Sequence, residues 1–280
     1  MNIKSLLSSG IKRLQNSKIK NPILDAELIL SSITKKRRED ILLNDFDEIN
    51  YKQSQKFYSF IDRRKKGEPI SYIINKKYFW NYSFYINKEV LIPRPDTEHL
   101  VEEVLHQTRF NSNKLILDIG TGSGCIILSI LKERNLLTGC GIDISKKSIN
   151  VSKINAKRLN LTNRVKFYIS DIDKFFLGKY DIVVSNPPYI DRAKLKYLEK
   201  DIYKFEPRKA LDGGIDGFSE IIKIVSKTSD LLKRNGLFIM EIGFNQKIKV
   251  LEILKKNGFF TKKIIKDYSG KDRCLVSYKI

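Results

Sequence analysis

The stretch that decides the fold is Leu115-Ile116-Leu117-Asp118-Ile119-Gly120-Thr121-Gly122-Ser123-Gly124. It begins as a short apolar run, typical of a buried strand, and leads into a helical pattern over residues 125–131. Glycines between a strand and a helix let the backbone approach a ligand closely, because glycine has no Cβ. The order strand, glycine loop, helix therefore predicts an α/β sheet with a ligand at this loop.

Two later strands are predicted to end in acidic residues. Gly141-Ile142-Asp143 closes a strand about 20 residues after the glycines, the usual distance of an acid that binds ribose hydroxyls. A strand over residues 164–170 ends at Asp171, which is placed to face an adenine amino group, with Ile172 packing on the ring. Each acid taken singly is more often an ordinary turn residue. Together they predict a nucleoside at the carboxyl edge of the sheet.

The glycine pattern also limits the ligand. The sequence contains no G-x-x-x-x-G-K-[ST] segment, and residues 120–124 do not follow the dinucleotide pattern G-x-G-x-x-G. A nucleoside triphosphate and a dinucleotide are therefore disfavoured. An adenosine that carries a group other than phosphate fits better.

A second motif is Asn186-Pro187-Pro188-Tyr189, which ends the apolar run of residues 180–185. Proline fixes φ and has no N–H, so the strand must stop in a rigid loop. The Asn186 carboxamide oxygen and the Pro187 carbonyl can accept both hydrogens of a planar NH2 group. This pattern predicts chemistry on an amide or exocyclic amine, and its alternative is a plain surface turn.

With these residues in place, the chain resembles S-adenosylmethionine-dependent methyltransferases, and specifically the HemK/PrmC family of protein-(glutamine-N5) methyltransferases. The resemblance runs from about residue 22 to Asp272-Arg273 and includes these further segments: Pro22-Ile23-Leu24-Asp25-Ala26-Glu27, Gly67-Glu68-Pro69-Ile70-Ser71-Tyr72, Leu91-Ile92-Pro93-Arg94-Pro95-Asp96-Thr97-Glu98, Glu206-Pro207-Arg208, Leu211-Asp212-Gly213-Gly214 and Glu241-Ile242-Gly243.

The resemblance implies methyl transfer to the glutamine of the Gly-Gly-Gln motif in peptide-chain release factors, in support of translation termination. It implies S-adenosylmethionine as the cofactor and release factors as the protein partner. The implied catalytic residues are Asn186, Pro187 and Tyr189, and with Pro188 they would bind the substrate. The implied cofactor residues are Asp118, Gly120, Thr121, Gly122, Ser123, Gly124, Asp143, Asp171, Ile172 and Asn186.

The family also implies a domain plan. Residues 1–75 are expected to form a helical domain that recognises the protein substrate, and residues 76–94 a β-hairpin linker. Residues 95–280 are expected to form a seven-stranded, mainly parallel, doubly wound Rossmann-like methyltransferase domain. Residues 25–33 and 53–63 are the clearest helices, and residues 237–242 and 273–279 the late strands. The aromatic residues 78–85 favour core packing over stacking on bases.

Two other functions stay open at this point. A DNA adenine-N6 or cytosine-N4 methyltransferase would share both motifs, but it usually carries a target-reading segment, and the stretch from 191 to 217 is short. A catalytically idle binding protein of the same fold would be expected to lose Asn186 or the glycines. Neither is lost.

The chain has 280 residues, of which 41% are hydrophobic. This is enough to bury one large core or two modest ones. No apolar run reaches the length of about 20 residues that a membrane helix needs. A membrane partner is therefore not expected. The three cysteines lack C-x-x-C spacing, which indicates a reducing cytosol. The two histidines have no cysteine nearby, so no metal site is expected. The predicted location is cytoplasmic.

The charge of +21 is compatible with phosphate binding, but most of it is lysine scattered through every segment. We therefore favour a compositional bias over direct nucleic-acid binding. The first acid is Asp25, and an acid-poor start is also typical of an organellar transit peptide. Against this, Leu6, Leu7, Ile11 and Leu14 have the spacing of a helix in a core.

Overall fold

A computed structural model describes residues 2–44 and 46–280. The chain divides into two compact units. The first comprises Met1–Lys76 together with Glu199–Phe205, and the second comprises Lys77–Leu198 together with Glu206–Ile280. Within the described residues no helix is both long and apolar enough to span a bilayer.

The first unit is helical. Its helices are α1 (Ile3–Asn16), α2 (Pro22–Thr34), α3 (Arg38–Leu43), α4 (Tyr51–Lys65), α5 (Ile70–Ile73) and, from later in the chain, α9 (Lys200–Phe205). Asn2 and Asn50 begin α1 and α4 by accepting backbone N–H groups that have no partner inside the helix. Pro22 begins α2, where the missing N–H costs nothing.

The core of this unit lies between α1, α2 and α4. Ile3, Leu6 and Leu14 of α1 are fully buried in it, so the acid-poor start of the chain is a packed helix here. Gly10 lets α1 approach α4, since a Cβ at Gly10 would lie 2.5 Å from the Phe57 ring. The helical spacing of the apolar residues in α1 is thus explained by their packing against α2 and α4.

The second unit is built on a seven-stranded sheet of order β5-β4-β3-β6-β7-β9-β8. The five strands β3 to β7 run parallel to one another, and β9 runs antiparallel to both β7 and β8. The strands are β3 (Leu115–Ile119), β4 (Thr138–Asp143), β5 (Val165–Ile169), β6 (Tyr180–Ser185), β7 (Leu232–Glu241), β8 (Phe259–Lys266) and β9 (Asp272–Lys279).

Helices cover both faces of this sheet. Leu117 and Cys140 belong to a core cluster with residues of the later helices, whereas Gly139 faces Ile127 of an earlier one. Because successive strand residues point to opposite faces, the sheet is doubly wound, as predicted. The helices are α6 (Glu98–Gln107), α7 (Cys125–Glu133), α8 (Lys146–Arg158), α10 (Ser219–Leu231) and α11 (Lys247–Lys256).

A small hairpin, β1 (Lys77–Phe79) and β2 (Tyr82–Phe84), opens the second unit. Phe79 and Phe84 are buried and meet edge to face. The Trp80 indole N–H and the Tyr82 hydroxyl both donate to Glu133, at 2.8 and 3.0 Å. The aromatic residues of the hairpin therefore pack and bond within the unit, which agrees with the core role that the sequence favours.

The strand order reverses between β3 and β6. From β3 the chain moves to β4 and β5 on one side, and it then returns to place β6 on the other side of β3. The loops after β3 and β6 leave their strands in neighbouring positions, with Ile119 opposite Ser185. Ligands of open α/β sheets bind at such a reversal.

Candidate active site

The glycine loop, residues 120–124, follows β3. Gly120, Gly122 and Gly124 have φ of 74°, 55° and 78°, a region that side chains with a Cβ rarely adopt. The amides of Gly120 and Thr121 both donate to the Ile142 carbonyl at 2.9 Å. A Cβ added at Gly120 would meet no atom within 4 Å, so the loop borders space that the protein does not fill.

Asp118, the last acid before this loop, is completely buried. Its Oδ2 accepts the Thr121 hydroxyl at 2.7 Å, while its Oδ1 has no hydrogen bond of ordinary geometry in the described part of the chain. Burial outweighs the Thr121 hydroxyl and the Ile127 amide and raises the pKa of Asp118 to about 7. Asp118 therefore places a buried carboxyl directly behind the glycine loop and is bound to that loop through Thr121.

Asp143 ends β4 beside the same loop. One carboxylate oxygen accepts the Gly122 amide at 3.0 Å and the other accepts the Ser145 amide at 2.8 Å. Burial raises the pKa of this carboxyl. Each oxygen keeps a further lone pair, so Asp143 can shape the glycine loop and accept ligand hydroxyls at once.

Asp171 and Ile172 follow β5. The Asp171 side chain accepts the Asp173 amide at 3.2 Å and begins a short 3-10 turn. Ile172 is only 6% exposed and lies in the core cluster with Phe175. Ile144, directly after Asp143, is 57% exposed. Ile144 is therefore a more accessible apolar side chain than Ile172, and the sequence motifs did not single it out.

The amide loop, residues 186–189, follows β6. The Asn186 Nδ2 donates to the Thr97 hydroxyl oxygen at 3.0 Å, and that hydroxyl donates to Glu241 Oε2 at 2.7 Å. Among the described residues no donor reaches Asn186 Oδ1 or the Pro187 carbonyl oxygen. Two acceptors of the amide loop are thus left for an external NH2 group.

Tyr189 is anchored by its hydroxyl. It donates to Glu241 Oε1 at 3.2 Å, and the guanidinium of Arg273 lies 3.5 Å away on the other side. Burial, with the Glu241 carboxylate next to it, raises the pKa of Tyr189. The hydroxyl therefore stays protonated, and its hydrogen bond fixes where the ring stands.

The backbone behind the amide loop is held by residues 211–214. Ile190 donates to the Leu211 carbonyl at 3.1 Å, and the Gly213 amide donates back to the Ile190 carbonyl at 2.8 Å. A Cβ at Gly213 would lie 2.9 Å from Pro188 O, Tyr189 C and Gly217 O, all backbone atoms. The Leu-Asp-Gly-Gly segment thus supports the amide loop at a distance that only glycine allows.

Gln246 holds the same loop from another direction. Its carboxamide donates to the carbonyls of Tyr189 and Gly217 at 3.1 and 3.0 Å, and its oxygen accepts the Gly243 amide at 2.9 Å. The side chain is 5% exposed and all of its main hydrogen-bonding groups are used. This side chain links three separate stretches of backbone.

Arg94 and Glu206 form an ion pair of 2.5 Å in which the Glu206 side chain is almost wholly buried. The other Glu206 oxygen accepts the Ile92 amide at 3.4 Å. This pair ties the segment that contains Thr97 to the stretch that precedes residues 211–214. Within the described residues no cluster of histidine, cysteine, aspartate or glutamate could hold a metal ion.

Comparison with known proteins identifies the family of the chain. A family model described as "PrmC N-terminal domain" matches residues 5–74, and one described as "Methyltransferase domain" matches residues 110–271. A release factor glutamine methyltransferase of Buchnera aphidicola (Schizaphis graminum strain) is 41% identical over 100% of both chains. The chain belongs to the family of release factor glutamine methyltransferases.

One further relative and two solved structures are also similar to the chain. The family member from Caulobacter vibrioides is 36% identical over 95% of this chain and 93% of its own. A methyltransferase from Pyrococcus furiosus shares the fold with a TM-score of 0.53 and 20% identity, over 70% of this chain and 89% of that one. The ribosomal protein L11 methylase of Lactobacillus delbrueckii has a TM-score of 0.51 at 18% identity, covering 70% and 84%.

The family that the sequence motifs predicted is confirmed, and with it the methyltransferase fold. The structure brings Asp118, residues 120–124, Asp143 and the amide loop to one edge of the sheet, while their binding roles stay predictions. Besides Ile144, four residues around the amide loop were assigned no role from the sequence, namely Thr97, Glu241, Gln246 and Arg273. Three of them lie in segments that the family resemblance had marked, so those segments were the available signal.

Proposed function

We propose that this chain transfers a methyl group from S-adenosylmethionine to the side-chain amide nitrogen of the glutamine in the Gly-Gly-Gln motif of peptide-chain release factors. The observation that carries the proposal is the pair of free acceptors, Asn186 Oδ1 and the Pro187 carbonyl, beside the glycine loop. The family to which the chain belongs supports the choice of a release factor as substrate.

The residues at the edge of the sheet fit the cofactor. The carboxyl of Asp118, buried directly behind the glycine loop, favours a positively charged group of the cofactor when it is ionised, and Asp143 suits the ribose hydroxyls. The space beside Gly120 leaves room for close approach to the backbone. When bound, S-adenosylmethionine supplies a methyl group activated by a positively charged sulfur. The residues proposed to hold it are Asp118, Gly120, Thr121, Gly122, Ser123, Gly124, Asp143, Asp171, Ile172 and Asn186.

The protein's part in the chemistry is orientation. An amide nitrogen is a poor nucleophile, because its lone pair is delocalised into the carbonyl. Asn186 Oδ1 and the Pro187 carbonyl accept the two amide hydrogens, which hold the nitrogen in line and stabilise the positive charge that builds on it. Tyr189 and Pro188 flank the flat amide. The methylated nitrogen is strongly acidic, so its proton leaves without a general base.

Residues 1–75 are proposed to recognise the protein substrate, residues 76–94 to link, and residues 95–280 to carry out methyl transfer. In the first unit several large apolar side chains are exposed between the last residue of α3 and the first residue of α4, among them Leu43 (81%), Phe46 (74%) and Tyr51 (79%). Exposed apolar and aromatic side chains are common at protein interfaces.

This assignment is tested by point changes in the full chain. Leu43→Ser with Phe46→Ser should raise KM for the release factor about fivefold, equivalent to about 1 kcal/mol, and leave cofactor affinity unchanged. The matched control is Ile248→Ser, an equally exposed apolar residue of the second unit at 74%. An unchanged KM in the double variant, or the same rise in the control, would remove residues 43 and 46 from substrate recognition.

The function itself is tested with labelled S-adenosylmethionine and three acceptors. These are a release factor with its Gly-Gly-Gln glutamine, the same factor with that glutamine replaced by alanine, and duplex DNA. Label is expected only in the first, on the glutamine side chain as located by mass spectrometry of the peptide. Equal labelling of the first two would overturn the site of methylation. Labelling of DNA alone would favour an amino-methyltransferase acting on bases.

A further inference from the structure

Three side chains from distant parts of the second unit form one line of hydrogen bonds. Asn186 Nδ2 donates to Thr97 Oγ1 at 3.0 Å, and Thr97 Oγ1 donates to Glu241 Oε2 at 2.7 Å. Thr97 and Glu241 are 3% and 2% exposed, so water does not compete for these bonds. Neither residue contacts the free Asn186 oxygen, but their hydrogen bonds constrain the orientation of the carboxamide that carries it.

When Glu241 is ionised, these hydrogen bonds can run in only one direction, with Asn186 donating to Thr97 and Thr97 donating to Glu241. A carboxylate has no proton and can only accept, so the Thr97 hydroxyl must give its hydrogen to Glu241. The Thr97 oxygen is then left only with lone pairs toward Asn186. An NH2 group satisfies these lone pairs and a carboxamide oxygen does not. Asn186 must therefore turn its nitrogen to Thr97 and its oxygen outward.

This direction matters because the two ends of a carboxamide have nearly the same shape and opposite hydrogen-bonding character. If the Asn186 group were rotated by half a turn, it would present NH2 to the NH2 of the substrate glutamine. Two donors would then face each other, and one acceptor of the pair would be lost. The reacting amide would no longer be held at both hydrogens.

We propose that Glu241 and Thr97 are positioning residues that set the orientation of the Asn186 carboxamide, so that its oxygen is presented to the substrate amide. The proposal rests on the function proposed above. The same carboxylate also accepts the Tyr189 hydroxyl at 3.2 Å, so one buried group orients both ends of the amide loop.

The charge of Glu241 is set by its surroundings. The titratable and charged groups that face it are Asp96, Tyr189, Arg273 and Cys274. Burial raises its pKa to about 6, while the Thr97 hydroxyl and Arg273 act against this. Below that pH the protonated carboxyl can donate to Thr97. The Thr97 hydroxyl can then donate to Asn186, and the single direction is lost.

Two substitutions of nearly equal shape test the line. Glu241→Gln can donate to Thr97, and Thr97→Val removes the hydroxyl. Each should lower kcat about 10–100-fold, by analogy with the loss of a residue that orients a metal ligand. Thr97→Ser keeps the hydroxyl and should restore most of kcat. KM for the release factor and cofactor affinity by calorimetry should change less than threefold in all of them.

The controls are matched for burial and chemistry. Glu103→Gln alters a carboxylate that is 1% exposed and bonded to Gln107 and Lys263, and Thr108→Val alters a threonine that is 4% exposed and bonded to the Val104 carbonyl. Both should keep a kcat near that of the wild type. A fall equal to that of the Glu241 and Thr97 variants would reduce the effect to general damage from buried substitutions.

The pH profile of kcat at saturating cofactor separates orientation from packing. The wild-type rate should fall as pH drops through about 6, and Glu241→Gln should lack this limb. If the wild type methylates the glutamine but Glu241→Gln and Thr97→Val react at its rate, the inference is wrong and the proposed function stands. If the wild type does not methylate the glutamine, the function fails first.

Discussion

The glycine loop and the amide loop lie at the ends of neighbouring strands but are held in different ways. The hydrogen bonds that hold the glycine loop join residues close in sequence. Asp118 and Thr121 are three residues apart, and Gly122 and Asp143 are 21 apart. In the amide loop Asn186 bonds to a residue 89 positions away, and Tyr189 to residues 52 and 57 positions away. The glycine loop is therefore a local structure, whereas the amide loop is held by residues from distant parts of the second unit.

The comparison predicts that substitutions on the two loops separate chemistry from cofactor binding. Asn186→Ala should have the largest effect, a loss of about 2.7–4 kcal/mol in kcat, since it removes a preorganised acceptor of the transition state. Cofactor affinity by calorimetry should stay within about twofold of the wild type, because most of the proposed cofactor contacts lie on the other loop. A wild-type kcat in the folded variant would contradict the role of Asn186.

Asn186→Asp sharpens this result. It keeps an oxygen toward the substrate but cannot donate to Thr97, whose hydrogen is already given to Glu241. Its kcat should therefore fall between those of the alanine variant and the wild type. A kcat below that of Asn186→Ala would show that the added charge outweighs the acceptor.

Asp143→Ala tests the glycine loop. It should weaken S-adenosylmethionine binding by about 1.5–3 kcal/mol, the range for hydrogen bonds to a charged group, with kcat at saturating cofactor nearly unchanged. The loss includes the freed Gly122 amide as well as the ribose contact. Asp216→Ala, a surface carboxylate paired with Lys249, is the control and should bind normally. Unchanged affinity for Asp143→Ala would remove this residue from the cofactor site.

Gly213→Ala tests whether a residue outside both loops controls the amide loop. The new Cβ would meet three backbone atoms at 2.9 Å, so we expect about 1–3 kcal/mol of lost stability together with a lower kcat. Gly258→Ala provides the contrast. Its φ of 77° is unfavourable for alanine, but nothing lies within 4 Å of the new Cβ, so it should lose stability and keep its kcat. Equal kcat losses in the two variants would refute specific support of the amide loop.

Asp118→Asn should give the smallest effect, and one that depends on pH. The native protein holds the Asp118 proton up to about pH 7, while the unfolded chain releases it near the ordinary value of about 4. Between these values the native state binds more protons, so the free energy of unfolding falls as pH rises. The asparagine variant lacks this fall.

The variant should therefore gain at least about 1 kcal/mol over the wild type between about pH 5 and pH 8. Denaturant unfolding without cofactor at several pH values measures the gain. Its binding of S-adenosylmethionine should be weaker, since it cannot neutralise a cationic group. A difference in stability that does not vary with pH would mean that Asp118 titrates normally.

Much of the fold is predictable from sequence because its signals are local. The strand before the glycine loop and the strand before Asn186 occur where expected, and the helices predicted over residues 25–33 and 53–63 extend to Pro22–Thr34 and Tyr51–Lys65. β7 begins at Leu232, five residues earlier than predicted. β8 was not predicted, since it is a largely exposed edge strand whose lysines hide any apolar alternation.

The sequence by itself determined the glycine loop, because three glycines with positive φ between a strand and a helix allow few other conformations. It also determined that the Asn-Pro-Pro-Tyr run ends a strand in a rigid loop, since proline cannot continue the sheet. The tertiary structure alone decided which way the Asn186 carboxamide faces. That depends on Thr97 and Glu241, which only the strand order brings to it, and on burial that keeps water from competing for their hydrogen bonds.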